Sequence, residues 1–153
     1  MLKLNKKAPN FSLKDKNGKY YSLDSFKSKF LVLYFYPKDS TPGCTLEAKE
    51  FSGLIKKFEK INTKVIGISG GNKNSKEKFC KENNLKIILL SDEDFSVSKK
   101  YGVYKKKEFI GRKFFGIKRT TFILNNKKRI IKIYNNVKVQ RHAKEVFKYI
   151  ISQ

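Results

Sequence analysis

The feature that most constrains the fold is an uninterrupted apolar run from Phe30 to Tyr36. Such a run, when a turn bounds it, is typical of a central strand that is covered on both faces. A turn-forming cluster of Pro, Asp, Ser, Thr and Gly follows at positions 37–43, and a helical pattern of apolar residues begins at Thr45. The run therefore predicts a strand that passes through a tight turn into a helix.

The rest of the chain extends this pattern to an α/β fold. Asn17-Gly18 between two short alternating runs predicts an N-terminal β-hairpin. Further strands are predicted over 64–69, 87–90, 120–124 and 130–134. Helices are predicted over 45–61, from about 75 to 84 with Asn74 or Ser75 as the cap, and over 94–101 and 139–151. We expect one thioredoxin-like domain over 1–153, with a mixed central sheet flanked by helices, and an exposed basic loop over 105–113.

Composition excludes several classes of protein. No apolar run approaches the roughly 18 residues of a membrane span, so we expect no membrane partner. The first residues lack the apolar core of a signal peptide, and we expect a cytoplasmic protein. Two cysteines, Cys44 and Cys80, and one histidine, His142, are too few for a disulfide scaffold or a Cys/His metal site. We expect no metal or other cofactor, and we expect His142 on the surface of the last helix.

The net charge of +23 favours contact with polyanions. Most of the 36 basic residues are lysines, and they are scattered through every predicted element. This pattern indicates codon bias in an A/T-rich genome, with weak, charge-driven binding of nucleic acid. The alternative, a basic nucleic-acid-binding protein with incidental thiol reactivity, remains open at this point.

Cys44 lies where the strand and turn lead into the helix. The free N–H groups and the dipole of a helix N-terminus favour an anion, which predicts a nucleophilic thiolate for redox or acyl chemistry. Gly43 allows a tight entry into the helix. Thr41 places a hydroxyl three residues before the thiol, where it can bind the thiolate or an incoming oxygen.

The pattern Pro37-x-x-x-Thr41-x-x-Cys44 resembles the active-site signature of peroxiredoxins. The longer segment 35–48 is similar to the bacterioferritin comigratory protein, or Q-type, subfamily. Further segments resemble the family at 8–11, 65–69, 90–92, 116–122 and 142–146.

This resemblance implies a thiol peroxidase that reduces hydrogen peroxide and organic hydroperoxides. It implies that Cys44 attacks the peroxide and becomes a sulfenic acid, and that Arg119 and Thr41 hold the peroxide oxygens. It assigns Pro37 to shielding the thiolate, and Gly43 and Glu47 to support. Thioredoxin or a similar dithiol as reductant and a monomeric state are also implied by the resemblance.

For the second step the sequence departs from the commonest pattern of the subfamily, because Lys49 occupies the position of the resolving cysteine in many members. Some Q-type members carry that cysteine on the next helix instead, which implies an intramolecular Cys44–Cys80 disulfide. Disulfide formation requires Cα atoms within roughly 7 Å, so one of the two helices must unwind. The alternative is a one-cysteine peroxiredoxin in which Cys80 is structural.

Overall fold

The computed structural model describes residues 2–153, and its centre is strand β3. The chain first forms the short strands β1 (Leu13–Lys14) and β2 (Tyr20–Tyr21), then β3 (Phe30–Phe35). All six side chains of β3 are buried, as expected for a strand that is apolar on both faces. β3 pairs in parallel with β4 (Thr63–Ser69), which pairs in parallel with β5 (Ile88–Ser91).

The sheet becomes mixed at both edges. An antiparallel hairpin of β8 (Thr120–Leu124) and β9 (Ile130–Tyr134) follows β3 on one side, and the β1–β2 hairpin extends β5 on the other. The strand order is β2-β1-β5-β4-β3-β8-β9. A separate two-stranded sheet is formed by β6 (Tyr104–Phe109) and β7 (Arg112–Ile117). The predicted thioredoxin-like architecture with an N-terminal β-hairpin is confirmed.

In residues 2–153, five α-helices flank the main sheet. Alternate side chains of β3 enter two apolar clusters on opposite faces, as the two-residue period of a strand requires. One cluster is completed by the N-terminal segment and α4, and the other by the remaining four helices. The helices are α1 (Pro42–Gly53), α2 (Ile55–Lys60), α3 (Lys73–Asn83), α4 (Ser96–Lys100) and α5 (His142–Ile151). In the described part of the chain, no helix is long and apolar enough to cross a bilayer.

Three local predictions are wrong. The helix predicted over 45–61 is two helices separated at Leu54, and it begins earlier, at Pro42, because proline suits the first turn of a helix. The cap of α3 is Asn72, whose side chain accepts a hydrogen bond from the Ser75 N–H at 2.8 Å. The segment 105–113 is not a loop, because it lies within the β6–β7 hairpin.

Candidate active site

Cys44 is the third residue of α1 and lies directly after the loop that leaves β3. Its side chain is buried, with 1% of its surface exposed. The Thr45 N–H donates to the Thr41 carbonyl at 2.8 Å, so helical hydrogen bonding begins at Thr41 and encloses Cys44 in the first turn. The sulfur is therefore held in the part of a helix whose N–H groups favour a negative charge.

Arg119, which lies between β7 and β8, contacts this sulfur. Antiparallel pairing of β8 with β3 places the start of β8 beside the end of β3, and Arg119 immediately precedes β8. Its Nη2 donates to Cys44 Sγ at 3.5 Å, and its Nη1 donates to Glu47 Oε1 at 2.8 Å. The forked guanidinium thus binds the thiol and a buried carboxylate together, as a single ammonium group could not.

The Arg119–Glu47 pair is shielded from water. The Glu47 side chain is inaccessible and that of Arg119 is 17% exposed. Burial raises the pKa of Glu47 to about 7, against the opposing effect of Arg119. Burial lowers the pKa of Arg119, but the negative charges of Cys44 and Glu47 outweigh it, and the net pKa lies above the usual value. Arg119 is therefore a permanent cation beside the sulfur.

Gly43 leaves room for this guanidinium. A Cβ on Gly43 would lie 3.3 Å from Arg119 Nη2, closer than an ordinary contact. The glycine before the cysteine thus permits the approach of Arg119, in addition to the tight helix entry that the sequence predicts.

Thr41 and Pro37 line the loop before Cys44, and both are half-buried. The Thr41 hydroxyl donates to the Lys38 carbonyl at 2.8 Å. It therefore stabilises the loop in this structure, and its contact with the thiolate or a peroxide stays a prediction.

A buried ionic cluster that no sequence motif predicts lies beside this loop. Lys76 Nζ donates to Asp39 Oδ2 at 2.9 Å, and the two side chains are 0% and 3% exposed. Lys76 also donates to Ser69 Oγ at 2.7 Å and to the Gly71 carbonyl at 3.2 Å. These bonds satisfy all three protons of the ammonium group, as a buried lysine requires.

Asp39 is bound as fully as its partner. It accepts hydrogen bonds from the hydroxyls of Tyr36 and Ser75, each at 2.6 Å. Burial favours a higher pKa for Asp39, but Lys76 and these donors hold it below the usual value. A side chain at Gly71 would collide with the Asp39 carboxylate. No local pattern identifies the cluster, because Asp39 and Lys76 are far apart in sequence and the loops that follow β3 and β4 bring them together.

Cys80 follows Lys76 by one turn of α3. It is 4% exposed, is not in a disulfide, and belongs to the same apolar cluster as Cys44. Burial raises the pKa of the Cys80 thiol. In this structure Cys80 is therefore a buried neutral thiol, on a different helix from Cys44.

The prediction for His142 is wrong. His142 is 2% exposed, and it lies in the core because α5 begins there and packs against the sheet. Its Nε2 lies 2.8 Å from Thr121 Oγ1, and its Nδ1 lies 3.0 Å from Glu145 Oε1. Among the described residues, no group of three or more His, Cys, Asp or Glu side chains could hold a metal ion.

Comparisons with known proteins agree with this geometry. The model of the AhpC/TSA family matches residues 4–133. A Helicobacter pylori protein that carries the peroxiredoxin bcp name is 46% identical over 145 residues, or 95% of each chain. Peroxiredoxin Bcp of Bacillus subtilis is 37% identical, over 94% of this chain and 92% of the relative.

Solved structures extend the likeness to three dimensions. The bacterioferritin comigratory protein of Xanthomonas campestris, studied for alkyl peroxide reduction, has a TM-score of 0.90 and 32% identity over 99% of this chain and 97% of its own. A cysteine-to-serine variant of Xylella fastidiosa PrxQ has a TM-score of 0.93 and 33% identity, with the same coverage. Cysteine-to-serine variants of Xanthomonas campestris peroxiredoxin Q were solved at two positions 36 residues apart, the separation of Cys44 and Cys80.

Proposed function

The chain belongs to the AhpC/TSA family and is a thiol-dependent peroxidase of the peroxiredoxin type, and we propose that it reduces hydrogen peroxide and organic hydroperoxides through Cys44. The observation that carries this assignment of the site is the contact of the Arg119 guanidinium with Cys44 Sγ at 3.5 Å. A permanent cation beside a thiol at a helix N-terminus stabilises the thiolate, which is the reactive form.

In the first step the Cys44 thiolate attacks one oxygen of the peroxide. An S–O bond forms and the O–O bond breaks, so the sulfur is oxidised to sulfenic acid and the peroxide is reduced. The leaving oxygen takes a proton and departs as water or an alcohol. Arg119 and the N–H groups of the first turn of α1 stabilise the charge that builds on this oxygen. Thr41 can join them if its hydroxyl turns from the Lys38 carbonyl.

Our proposal for the second step is that Cys80 resolves the sulfenic acid. The Cys80 thiolate attacks the Cys44 sulfur, a disulfide forms, and the hydroxyl leaves with a proton as water. The matching separation of the two cysteine positions in the Xanthomonas campestris protein supports this assignment. Because both thiols are buried on different helices, α3, the first turn of α1 or both must open.

We further propose that thioredoxin or a similar dithiol reduces this disulfide, and that the protein is a cytoplasmic monomer. The basis is the relationship to Bcp and Q-type peroxiredoxins. The charge of +23 adds only weak, salt-sensitive contact with nucleic acid in this proposal.

Mass spectrometry after one equivalent of hydrogen peroxide tests both steps. We expect the intact chain to lose two hydrogens, with a peptide map that joins Cys44 to Cys80. Cys80→Ser should gain one oxygen at Cys44, whereas Cys44→Ser should remain unmodified. One added oxygen at Cys44 in the unmodified chain, with Cys80 free, would refute resolution by Cys80 and indicate a one-cysteine enzyme. Full peroxidase activity of Cys44→Ser would refute the catalytic assignment itself.

A further inference from the structure

The β6–β7 hairpin stands apart from the main sheet and exposes large apolar side chains. Phe109, Ile110, Phe114 and Phe115 are 67%, 85%, 46% and 62% exposed. They are half of the eight large apolar residues that are exposed in the described part of the chain, yet the hairpin spans only residues 104–117. Contact of such a cluster with water is unfavourable, and clusters of exposed apolar side chains are typical of binding surfaces.

The charged residues of the hairpin are also distributed unequally between its two faces. Cross-strand partners lie on the same face, and successive residues alternate between faces. Phe109 pairs with Arg112 and Lys107 pairs with Phe114, so these four residues share one face with Lys105. The acidic residue Glu108 pairs with Lys113 on the other face. One face of the hairpin is therefore apolar and basic without an acidic residue.

We propose that this hairpin is a docking surface for a phospholipid bilayer with anionic headgroups. Phe109 and Ile110 at its tip would enter the boundary between headgroups and acyl chains. Arg112, which pairs with Phe109 beside the tip, would contact the phosphates. This combination of exposed apolar side chains with flanking lysine and arginine is the chemistry of peripheral membrane contact. The proposal replaces the expectation of no membrane partner, which considered only membrane spans.

Two other partners fit the hairpin less well. A second copy would bring together two hairpins that each carry five basic residues and one acidic residue, so like charges would repel. A nucleic acid would bind the lysines, which occur throughout the surface, but it gives Ile110 at the tip no apolar environment. A bilayer with anionic headgroups satisfies the basic and the aliphatic side chains together.

Docking would bring the active site close to the bilayer. β7 ends two residues before Arg119, and Lys107 Nζ donates to the Ile117 carbonyl at 3.1 Å, which fixes the base of the hairpin. A six-residue strand is about 20 Å long, so the docked tip would hold Arg119 within about that distance of the lipid surface. Hydroperoxides of membrane lipids would then be near Cys44; this consequence rests on the proposed function, whereas the docking does not.

Co-sedimentation with vesicles tests the docking. The probes are phosphatidylcholine vesicles with and without phosphatidylglycerol, at a salt concentration of about 0.15 M, where surface charges are screened beyond about 8 Å. The intact chain should sediment with the anionic vesicles. The double variant Phe109→Ser/Ile110→Ser keeps every charge, and we expect it to bind at least about tenfold more weakly because two apolar anchors are lost.

A matched control removes two exposed apolar side chains elsewhere. Leu4 and Ile151 are 52% and 55% exposed, and Leu4→Ser/Ile151→Ser should bind as the intact chain does. Circular dichroism and the rate of hydrogen peroxide reduction should be unchanged in Phe109→Ser/Ile110→Ser, which excludes misfolding as the cause of weaker binding.

Three results would overturn the docking proposal. Equal vesicle binding by the intact chain and Phe109→Ser/Ile110→Ser would mean that charge alone drives the contact. A dimer in sedimentation velocity that only Phe109→Ser/Ile110→Ser dissociates would assign the hairpin to self-association. If Phe109→Ser/Ile110→Ser lost binding to a single-stranded oligonucleotide as strongly as it lost binding to vesicles, the hairpin would be assigned to nucleic acid. Vesicle binding by a chain without peroxidase activity would instead refute the proposed function and leave the docking intact.

Discussion

The Lys76 ammonium group lies 2.9 Å from the Asp39 carboxylate, and this buried ion pair joins the loop before Cys44 to the helix that carries Cys80. Burial lowers the pKa of Lys76, while Asp39 opposes that shift. Because a lone charge in the interior is costly, neither partner can leave without the other being rehydrated or neutralised. In the proposed resolution step, an opening of α3 that unwinds the helix at Lys76 would break this pair, so we expect the pair to restrain formation of the Cys44–Cys80 disulfide.

Replacement of Lys76 by methionine should weaken that restraint. We expect Lys76→Met to lower the free energy of unfolding by about 3–5 kcal/mol, because Asp39 is left as an unpaired buried charge. We also expect the sulfenic acid to convert to the disulfide faster, because the N-terminal half of α3 loses its anchor. Urea unfolding measures the first effect, and quenched-flow mass spectrometry measures the second.

Lys78→Met is the matched control on the same helix. The ion pair of Lys78 with Glu82 is 3.8 Å long and its side chains are 74% and 54% exposed, so its loss should change neither quantity measurably. Slower or unchanged disulfide formation in Lys76→Met, despite the lost stability, would show that the ion pair does not restrain α3.

Removal of the Arg119 guanidinium should slow the oxidation of Cys44. We expect Arg119→Met to reduce the second-order rate constant with hydrogen peroxide by about 10²–10³-fold, the usual effect of removing one preorganised donor for transition-state charge. Arg119→Lys should recover only part of that loss, because one ammonium group cannot bind Cys44 and Glu47 in the same forked geometry. Rapid mixing with quantification of sulfenic acid measures the rate constant.

Arg112→Met, in the exposed hairpin, controls for the loss of one positive charge. It should leave the rate constant with hydrogen peroxide unchanged. A similar decrease in Arg112→Met and Arg119→Met would mean that overall charge, and not the contact with Cys44 Sγ, determines the reactivity.

The sequence predicts the elements that have a strong local pattern. The apolar run Phe30–Tyr36 and the hairpin over 120–134 occur where predicted, because buried strands and their turns are encoded by neighbouring residues. The strands within 105–115 have no such pattern, since a hairpin exposed on both faces lacks the usual division into apolar and polar sides.

Some residues of the site can likewise be predicted from sequence motifs, and others cannot. Cys44 and Arg119 match a sequence motif, and the structure brings them together. Asp39 and Lys76 form a contact only after β3 and β4 pair in parallel, so no window of sequence contains both. His142 looks like a surface residue in a helical pattern, but the packing of α5 against the sheet buries it.

The burial of Cys80 predicts a pH dependence for disulfide formation. Burial raises the pKa of this thiol above its ordinary value of 9.0. The state in which α3 is intact and Cys80 is buried is therefore favoured most below pH 9.0. This advantage is lost as the pH rises toward the pKa of Cys80 in the folded chain. Once α3 has opened, the exposed Cys80 thiol ionises with an ordinary pKa, so its thiolate fraction rises from about pH 7 to 9 and we expect the sulfenic acid to convert to the disulfide faster over this range. Above pH 9.0 the loss of the advantage of the buried state should increase the rate further.

Quenched-flow mass spectrometry measures this rate across the pH series. In Cys80→Ser the sulfenic acid should persist at every pH in the series. A rate of disulfide formation that does not change with pH would contradict the requirement for exposure and ionisation of Cys80.

Glu47 should make the stability of the protein fall as the pH rises through the acidic range. Burial raises its pKa from the ordinary 4.5 to about 7 in the folded chain. The folded state thus holds a proton that the unfolded state releases, so this stabilisation is complete below pH 4.5 and is lost as the pH rises to about 7. The difference corresponds to about 3 kcal/mol.

Glu47→Gln removes the titration, so the intact chain should lose stability relative to this variant between pH 4.5 and 7 in urea unfolding. Glu82→Gln, on the exposed side of α3, controls for the loss of one carboxylate. A flat or rising difference with pH would show that Arg119 keeps Glu47 ionised throughout this range.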